Sequence, residues 1–150
     1  MAKSLFSDAS KPMRGVFRLR VRNKSGEVVD QYEDHNVIVN DAKSALAALI
    51  SEGSSGKIIT RFGVGTGTNT AVPTDTALTT PYINELVGHT FPEPGVVTFN
   101  WALGYDEAND MDISEYGLIC SDDSLFSRKV RRVIHKSSDL YFEGDWSIIF

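Results

Sequence analysis

Cysteine is nearly missing from this chain: Cys120 stands alone among 150 residues. An intramolecular disulfide, a paired-cysteine redox motif and a multi-cysteine zinc site are therefore excluded. The fold has to hold by packing alone. Long apolar runs are missing as well. The opening residues alternate polar and small side chains around Leu5 and Phe6, without the apolar stretch of a secretory signal. No later stretch approaches the length of a membrane span, so synthesis in the cytosol is expected. Histidine is sparse, and His35, His89 and His135 lie far apart, with no nucleophile elbow and no reactive-cysteine signature around Cys120. The acidic residues gather in loop-like stretches rather than as a pair facing a pocket. No catalytic residue, metal ligand or cofactor-binding residue is expected, and the chain reads as a non-enzyme without a cofactor.

What is present describes a folded domain. Hydrophobic residues make up 41% and charged residues 23%, far from the composition of disordered chains. A chain of this length can bury well over half the surface its unfolded form exposes, which suits one domain. The net charge of −5 is unevenly spread. Lys3, Lys11, Arg14, Arg18, Arg20, Arg22 and Lys24 make the first segment basic, and Arg128, Lys129, Arg131, Arg132 and Lys136 form a second basic run. Between them Asp106, Glu107, Asp110, Asp112, Glu115, Asp122 and Asp123 fall in a stretch without a basic residue. Sign-separated blocks of this kind can steer partners together, so Arg18, Arg20, Arg22, Asp106, Asp110, Asp112, Arg128, Arg131 and Arg132 are candidate interface residues. The plain alternative is a set of solvated loops and strand faces.

Periodicity assigns the elements. Phe17, Leu19 and Val21 alternate with Arg18, Arg20 and Arg22, the pattern of a half-buried strand with a cationic outer face. Asn23-Lys24-Ser25-Gly26 supplies a turn, and residues 27–32 return as the second strand of a hairpin. Asn40 and Asp41 are both N-cap candidates for a helix in which Ala42, Ala45, Leu46, Leu49 and Ile50 share one stripe, stopped at Gly53. That stripe should lie flat on a sheet. Ile58, Thr60, Phe62 and Val64 predict a strand, and residues 69–81 predict a turn-rich stretch with little regular structure. Val97, Phe99, Trp101 and Leu103 predict another strand, followed by strands over residues 113–120, 125–134 and 140–150. In the last, Leu140, Phe142, Trp146, Ile148 and Phe150 share a face broken only by Gly144.

Several strands and one helix predict a mainly β fold: an antiparallel sandwich or sheet with a single packed α-helix. Residues 1–13 are expected to be a flexible arm, ordered when a neighbouring subunit covers them, and residues 14–150 a single β-rich domain.

The glycine run Gly63-Val64-Gly65-Thr66-Gly67 does not fit the dinucleotide fingerprint, and no Lys-Ser or Lys-Thr follows as a P-loop requires. A strand end lying tightly against another backbone accounts for it better. Residues 106–112 lack the alternating ligands and the sixth-position glycine of a calcium loop, so an acidic hairpin loop is the default, with a weak surface cation site as the alternative. Nucleic-acid binding through Arg18, Arg20 and Arg22, with residues 128–132 as a second stripe, is the rival of another class. Against it stand the negative net charge and aromatics placed on the core side of the strands.

Four stretches in order carry a resemblance: Asn36-Val37-Ile38-Val39 before the alanine-rich helix; Phe62-Gly63-Val64-Gly65-Thr66-Gly67-Thr68 followed by Pro73-Thr74-Asp75-Thr76-Ala77-Leu78; Ile113-Ser114-Glu115-Tyr116-Gly117-Leu118 leading to Leu125-Phe126-Ser127-Arg128; and Trp146-Ser147-Ile148-Ile149-Phe150. Over residues 36–150 the chain resembles small virion proteins of tailed bacteriophages associated with the neck, collar, tail or fibre attachment. The resemblance implies a structural role in the virion without catalysis. A homo-oligomer that contacts other phage virion proteins is the expectation, with no membrane partner and nucleic acid ranked below assembly. A capsid decoration or cement protein is the related alternative, and an enzyme acting on a host glycan a distant one.

Overall fold

In the computed structural model, which describes residues 12–150, the alternating segments become nine strands. They are β1 (Arg14–Arg22), β2 (Val28–Ile38), β3 (Ile59–Gly65), β4 (Tyr82–Glu85), β5 (Gly88–Thr90), β6 (Val96–Leu103), β7 (Asp112–Cys120), β8 (Leu125–His135) and β9 (Tyr141–Ile149). The helix α1 (Asn40–Glu52) separates β2 from β3. The arm expected over residues 1–13 lies outside the described residues apart from Pro12 and Met13, and Met13 packs against the main core.

All strand pairs are antiparallel and form one curled sheet in the order β4-β3-β7-β8-β2-β1-β9-β6-β5, a half-barrel with one helix. The edge strands β4 and β5 are consecutive in the chain, and the link between them, Leu86-Val87, bridges the two ends of the sheet. The Leu86 N–H donates to the Thr60 carbonyl and the Val87 N–H to the Asn100 carbonyl. Inward-facing positions fall in rows. Phe17 pairs with Trp146, which pairs with Phe99, and the next row is Leu19, Gly144 and Trp101. Phe17 then meets Trp101 at 5.9 Å and Tyr116 at 4.8 Å between ring centroids, and Phe62 meets Trp101 at 5.2 Å, so both halves of the sheet share one aromatic core. Gly144 is what leaves room for Trp101, because a Cβ there would collide with its indole and with the Arg18 carbonyl.

Each sequence expectation that failed has a local cause. Asn40 and Asp41 satisfy the rule for an N-cap, yet Val39 holds that position and no side chain caps the helix. The Asn40 N–H instead donates to the Pro73 carbonyl at 2.7 Å, so the turn-rich stretch supplies the acceptor. Gly53 does end the helix in the left-handed conformation, φ 61°, with its N–H on the Leu49 carbonyl. Ala42 and Ala45 are buried as expected, but Ile50 is 87% exposed and falls off the stripe. Phe150 is likewise exposed rather than sharing the core face with Trp146 and Ile148. Strands β4 and β5, of four and three residues, follow the turn-rich stretch and are too short for alternation to announce them.

β2 and β8 pair only at Val37 and Ile38, and beyond that point they splay apart. The gap is bridged by side chains. Lys129 reaches Asp34 at 2.7 Å, while Arg131 and Arg132 both reach Asp30, at 3.2 and 2.8 Å. Arg131 also lies over the Tyr32 ring at 4.2 Å, a cation–π contact. Lys129, with help from the His35 N–H and the Tyr32 hydroxyl, holds the Asp34 carboxyl down at about 2.

Candidate docking face

The helix α1 lies against β8, and an apolar cleft runs between it and the sheet. Leu46 and Leu49 of α1, Phe126 of β8 and Val97, Phe99 and Ile148 of the sheet line an apolar cleft of about 240 Å³. Its rim carries Ile58, Phe91 and Phe150, which are 49%, 74% and 61% exposed, with His89 beside them. Isolated exposed apolar residues need no explanation, but a contiguous exposed apolar patch marks an interaction face. The local sequence builds it. β9 runs out of ladder at Ile149, leaving Phe150 at the lip with its N–H on the Gly95 carbonyl, and Phe91 follows directly after β5. Sequence reasoning placed Ile50 and Phe150 in the core and did not single out Phe91, because periodicity says which side a residue faces and not where the covering layer ends.

The arginine strand has a different fate. Arg18 donates to Asp145 at 2.7 Å and lies 3.5 Å from Glu33, and Arg20 and Arg22 converge on Glu143 at 3.3 and 2.8 Å. Bonding to Asp145 pushes the Arg18 guanidinium up, and Arg22 and Arg20 push the Glu143 carboxyl down. All three arginines do face outward from β1, and each is matched by a carboxylate one strand away. The cationic face read from β1 is a cross-strand charge ladder once β2 and β9 are beside it.

The second basic run does not form a stripe. Arg128 is only 2% exposed, Arg131 is 7% exposed against Tyr32 and Asp30, and Arg132 alone is open, at 66%. Arg128 therefore corrects the expectation of a surface residue. Lys136 is corrected too: it is fully buried, its Nζ donates to Asn109 and to the Ser137 carbonyl, and burial pushes its ammonium down. Asp106, Asp110 and Asp112 are exposed in or beside the loop joining β6 to β7, with His135 Nδ1 2.7 Å from Asp112. Among the described residues no three of His, Cys, Asp and Glu group to hold a metal ion. Cys120 is fully buried, and burial pushes its thiol up, away from the reactive thiolate.

The most built polar site was not foreseen. Glu115 is fully buried on β7, where one oxygen accepts the N–H groups of Gly67 and Thr79 and the other accepts Arg128 Nε at 2.7 Å. Arg128 Nη1 donates to Asp75 at 2.9 Å and Nη2 to Asn69 at 3.1 Å. Ser114 Oγ adds a bond to the Gly67 carbonyl. Together they pin residues 66–79 across the outer face of β7 and β8, over a small second core of Val39, Leu78, Ile119 and Leu125. The glycine run now has its reason: a Cβ at Gly65 or Gly67 would collide with the Glu115 carboxylate, and at Gly65 also with the Thr79 carbonyl. Backbone closeness was expected there, and a buried side chain was not. The signal lay in an acid within the apolar β7 segment and a base across the next turn.

The chain matches no family model, no curated protein and no solved structure.

Proposed function

We propose that the chain is a structural protein of a bacteriophage particle, assembling with copies of itself at the neck, collar or tail or anchoring fibres there, and that the apolar mouth is its docking face. The observation that carries this reading is the mouth itself: Phe91 and Phe150 stand in solvent at the lip of an apolar cleft. Leaving such rings uncovered forgoes burial free energy of about 1.5–3 kcal/mol each, which a contact recovers. The ordered resemblance over residues 36–150 supplies the virion context. The charge ladder on β1 weighs against nucleic acid, because a phosphate would have to displace Glu33, Glu143 and Asp145 from their arginines.

Sedimentation velocity over a concentration series tests the association. The mass of the full chain is expected to rise with concentration, and Phe91→Ser with Phe150→Ser to hold it at the monomer without lowering the melting temperature, since both rings are exposed. A double variant that associates like the unaltered chain, or an unaltered chain that stays monomeric throughout, overturns the docking face.

A further inference from the structure

We infer that Lys136 and Asn109 join in an isopeptide bond, the Lys136 amine displacing ammonia from the Asn109 side-chain amide, so that the base of the β7–β8 hairpin is closed covalently. Asn109 stands just before β7 and Lys136 just after β8. At its other buried cation the fold supplies counter-charges: Arg128 faces both Glu115 and Asp75. Lys136 is as deeply buried, yet among the described residues no carboxylate forms an ion pair with it. Its Nζ bonds the neutral Asn109 Oδ1 at 3.0 Å and the Ser137 carbonyl at 3.1 Å. A buried ammonium without a counter-charge is costly, and the neutral amine is the nucleophile. Burial shifts Lys136 toward that neutral form, against the opposing effect of Glu107 and Asp106.

The backbone holds the two side chains together. The Asp110 N–H donates to the Lys136 carbonyl and the Lys136 N–H to the Met111 carbonyl, both at 2.8 Å. Ala108 and Asp110, neither of them glycine, take left-handed conformations at φ 52° and 68°, so the chain is bent on both sides of Asn109 to present it. Asn109 Nδ2 donates to the Tyr105 carbonyl at 3.0 Å, which leaves Oδ1 turned toward Lys136. A donor 3.0 Å from Oδ1 lies roughly 3.2–4.2 Å from Cγ, near the ~3–3.5 Å of atoms poised to react. The step balances without an oxidant. Nζ bonds to Cγ, the Cγ–Nδ2 bond breaks, and a proton passes from Nζ to Nδ2, which leaves as ammonia. Asn109 is exposed, so the ammonia has a way out to solvent. The product replaces a buried ammonium by a neutral amide and links residues 27 positions apart, a cross-link in a chain whose single cysteine allows no intramolecular disulfide.

Mass spectrometry of the full chain tests this. After incubation of the folded protein at mildly alkaline pH, the chain is expected to be lighter than its sequence by one ammonia. Trypsin should no longer cut after Lys136, and the digest should contain a branched peptide joining Asn109 to Lys136. Asn109→Ala, at an exposed side chain, is expected to fold, to keep its full sequence mass and to be cut after Lys136 again. If that variant fails to fold, the branched peptide of the unaltered chain still decides. The same incubation in urea, which separates the pair, should yield several-fold less of it. A folded chain that keeps its full sequence mass overturns the inference, as does an equal yield of the branched peptide in urea. So does a chain lighter by one ammonia without the branched peptide, because a succinimide between Asn109 and Asp110 loses the same ammonia. Hydroxylamine cuts the succinimide and leaves the isopeptide bond intact.

Discussion

Replacing Glu115 by alanine is expected to lower the stability of the fold by about 3–5 kcal/mol, the usual consequence of stripping one partner from a buried ion pair. Arg128, 2% exposed, would keep its charge with only Asp75 opposite, and the N–H groups of Gly67 and Thr79 would lose their acceptor. For a chain of this size that corresponds to a fall in melting temperature of about 6–20 °C. Arg128→Lys keeps the charge but loses the fork that reaches Glu115, Asp75 and Asn69 together, so it should lose part of the same stability. Both variants should also make residues 66–79 the first site of proteolysis, because that stretch is held down by this hub. Thermal unfolding and limited digestion read the two effects. A loss under about 1 kcal/mol would mean that the pair contributes no more than a surface salt bridge.

Ending the chain at Asp145 is expected to abolish folding. β9 lies between β1 and β6, so the truncation removes ladder bonds on both sides as well as Trp146 and Ile148, both fully or almost fully buried. Those two side chains contribute about 1.5–3 kcal/mol each by burial, before the unpaired backbone of two neighbouring strands is counted. Domain stability as a whole is about 5–15 kcal/mol. Phe150, being exposed, contributes little to the effect, and a chain ending at Ile149 should melt close to the full chain. Circular dichroism on heating distinguishes the two truncations. A cooperative transition in the chain ending at Asp145 would show that β9 is dispensable.

The elements that the sequence announced are those whose covering layer is simple. β1, β6 and β9 alternate cleanly because one face meets the aromatic core and the other meets solvent or a charged neighbour. β7 hides its alternation: the core covers one face and residues 66–79 the other, so every residue from Ile113 to Cys120 is buried. Glu115 and Arg128 looked like surface charges for that reason. Charge in a strand reads as exposure unless a loop distant in sequence folds over it, and that depends on tertiary structure. β2 shows the opposite case, a strand with weak alternation because its ladder to β8 stops after Val37 and Ile38 and much of that edge is bridged by side chains, through ion pairs and the Arg131–Tyr32 contact. The arginines of β1 were placed on the correct face, but their partners on β9 are more than a hundred residues away, so neutralisation could not be read locally. The mouth was illegible for a related reason. Phe91 and Phe150 stand just past the ends of β5 and β9, and only the assembled sheet shows that they remain exposed at the rim of the cleft.

The proposal that this chain builds a phage particle by docking through its mouth meets its most direct test in an electron-microscopy map of the intact particle. The account predicts copies of the half-barrel related by symmetry at the neck, collar or tail, each with Phe91 and Phe150 buried against a neighbouring subunit. A particle in which the chain is absent, or present with those two rings facing solvent, would contradict it.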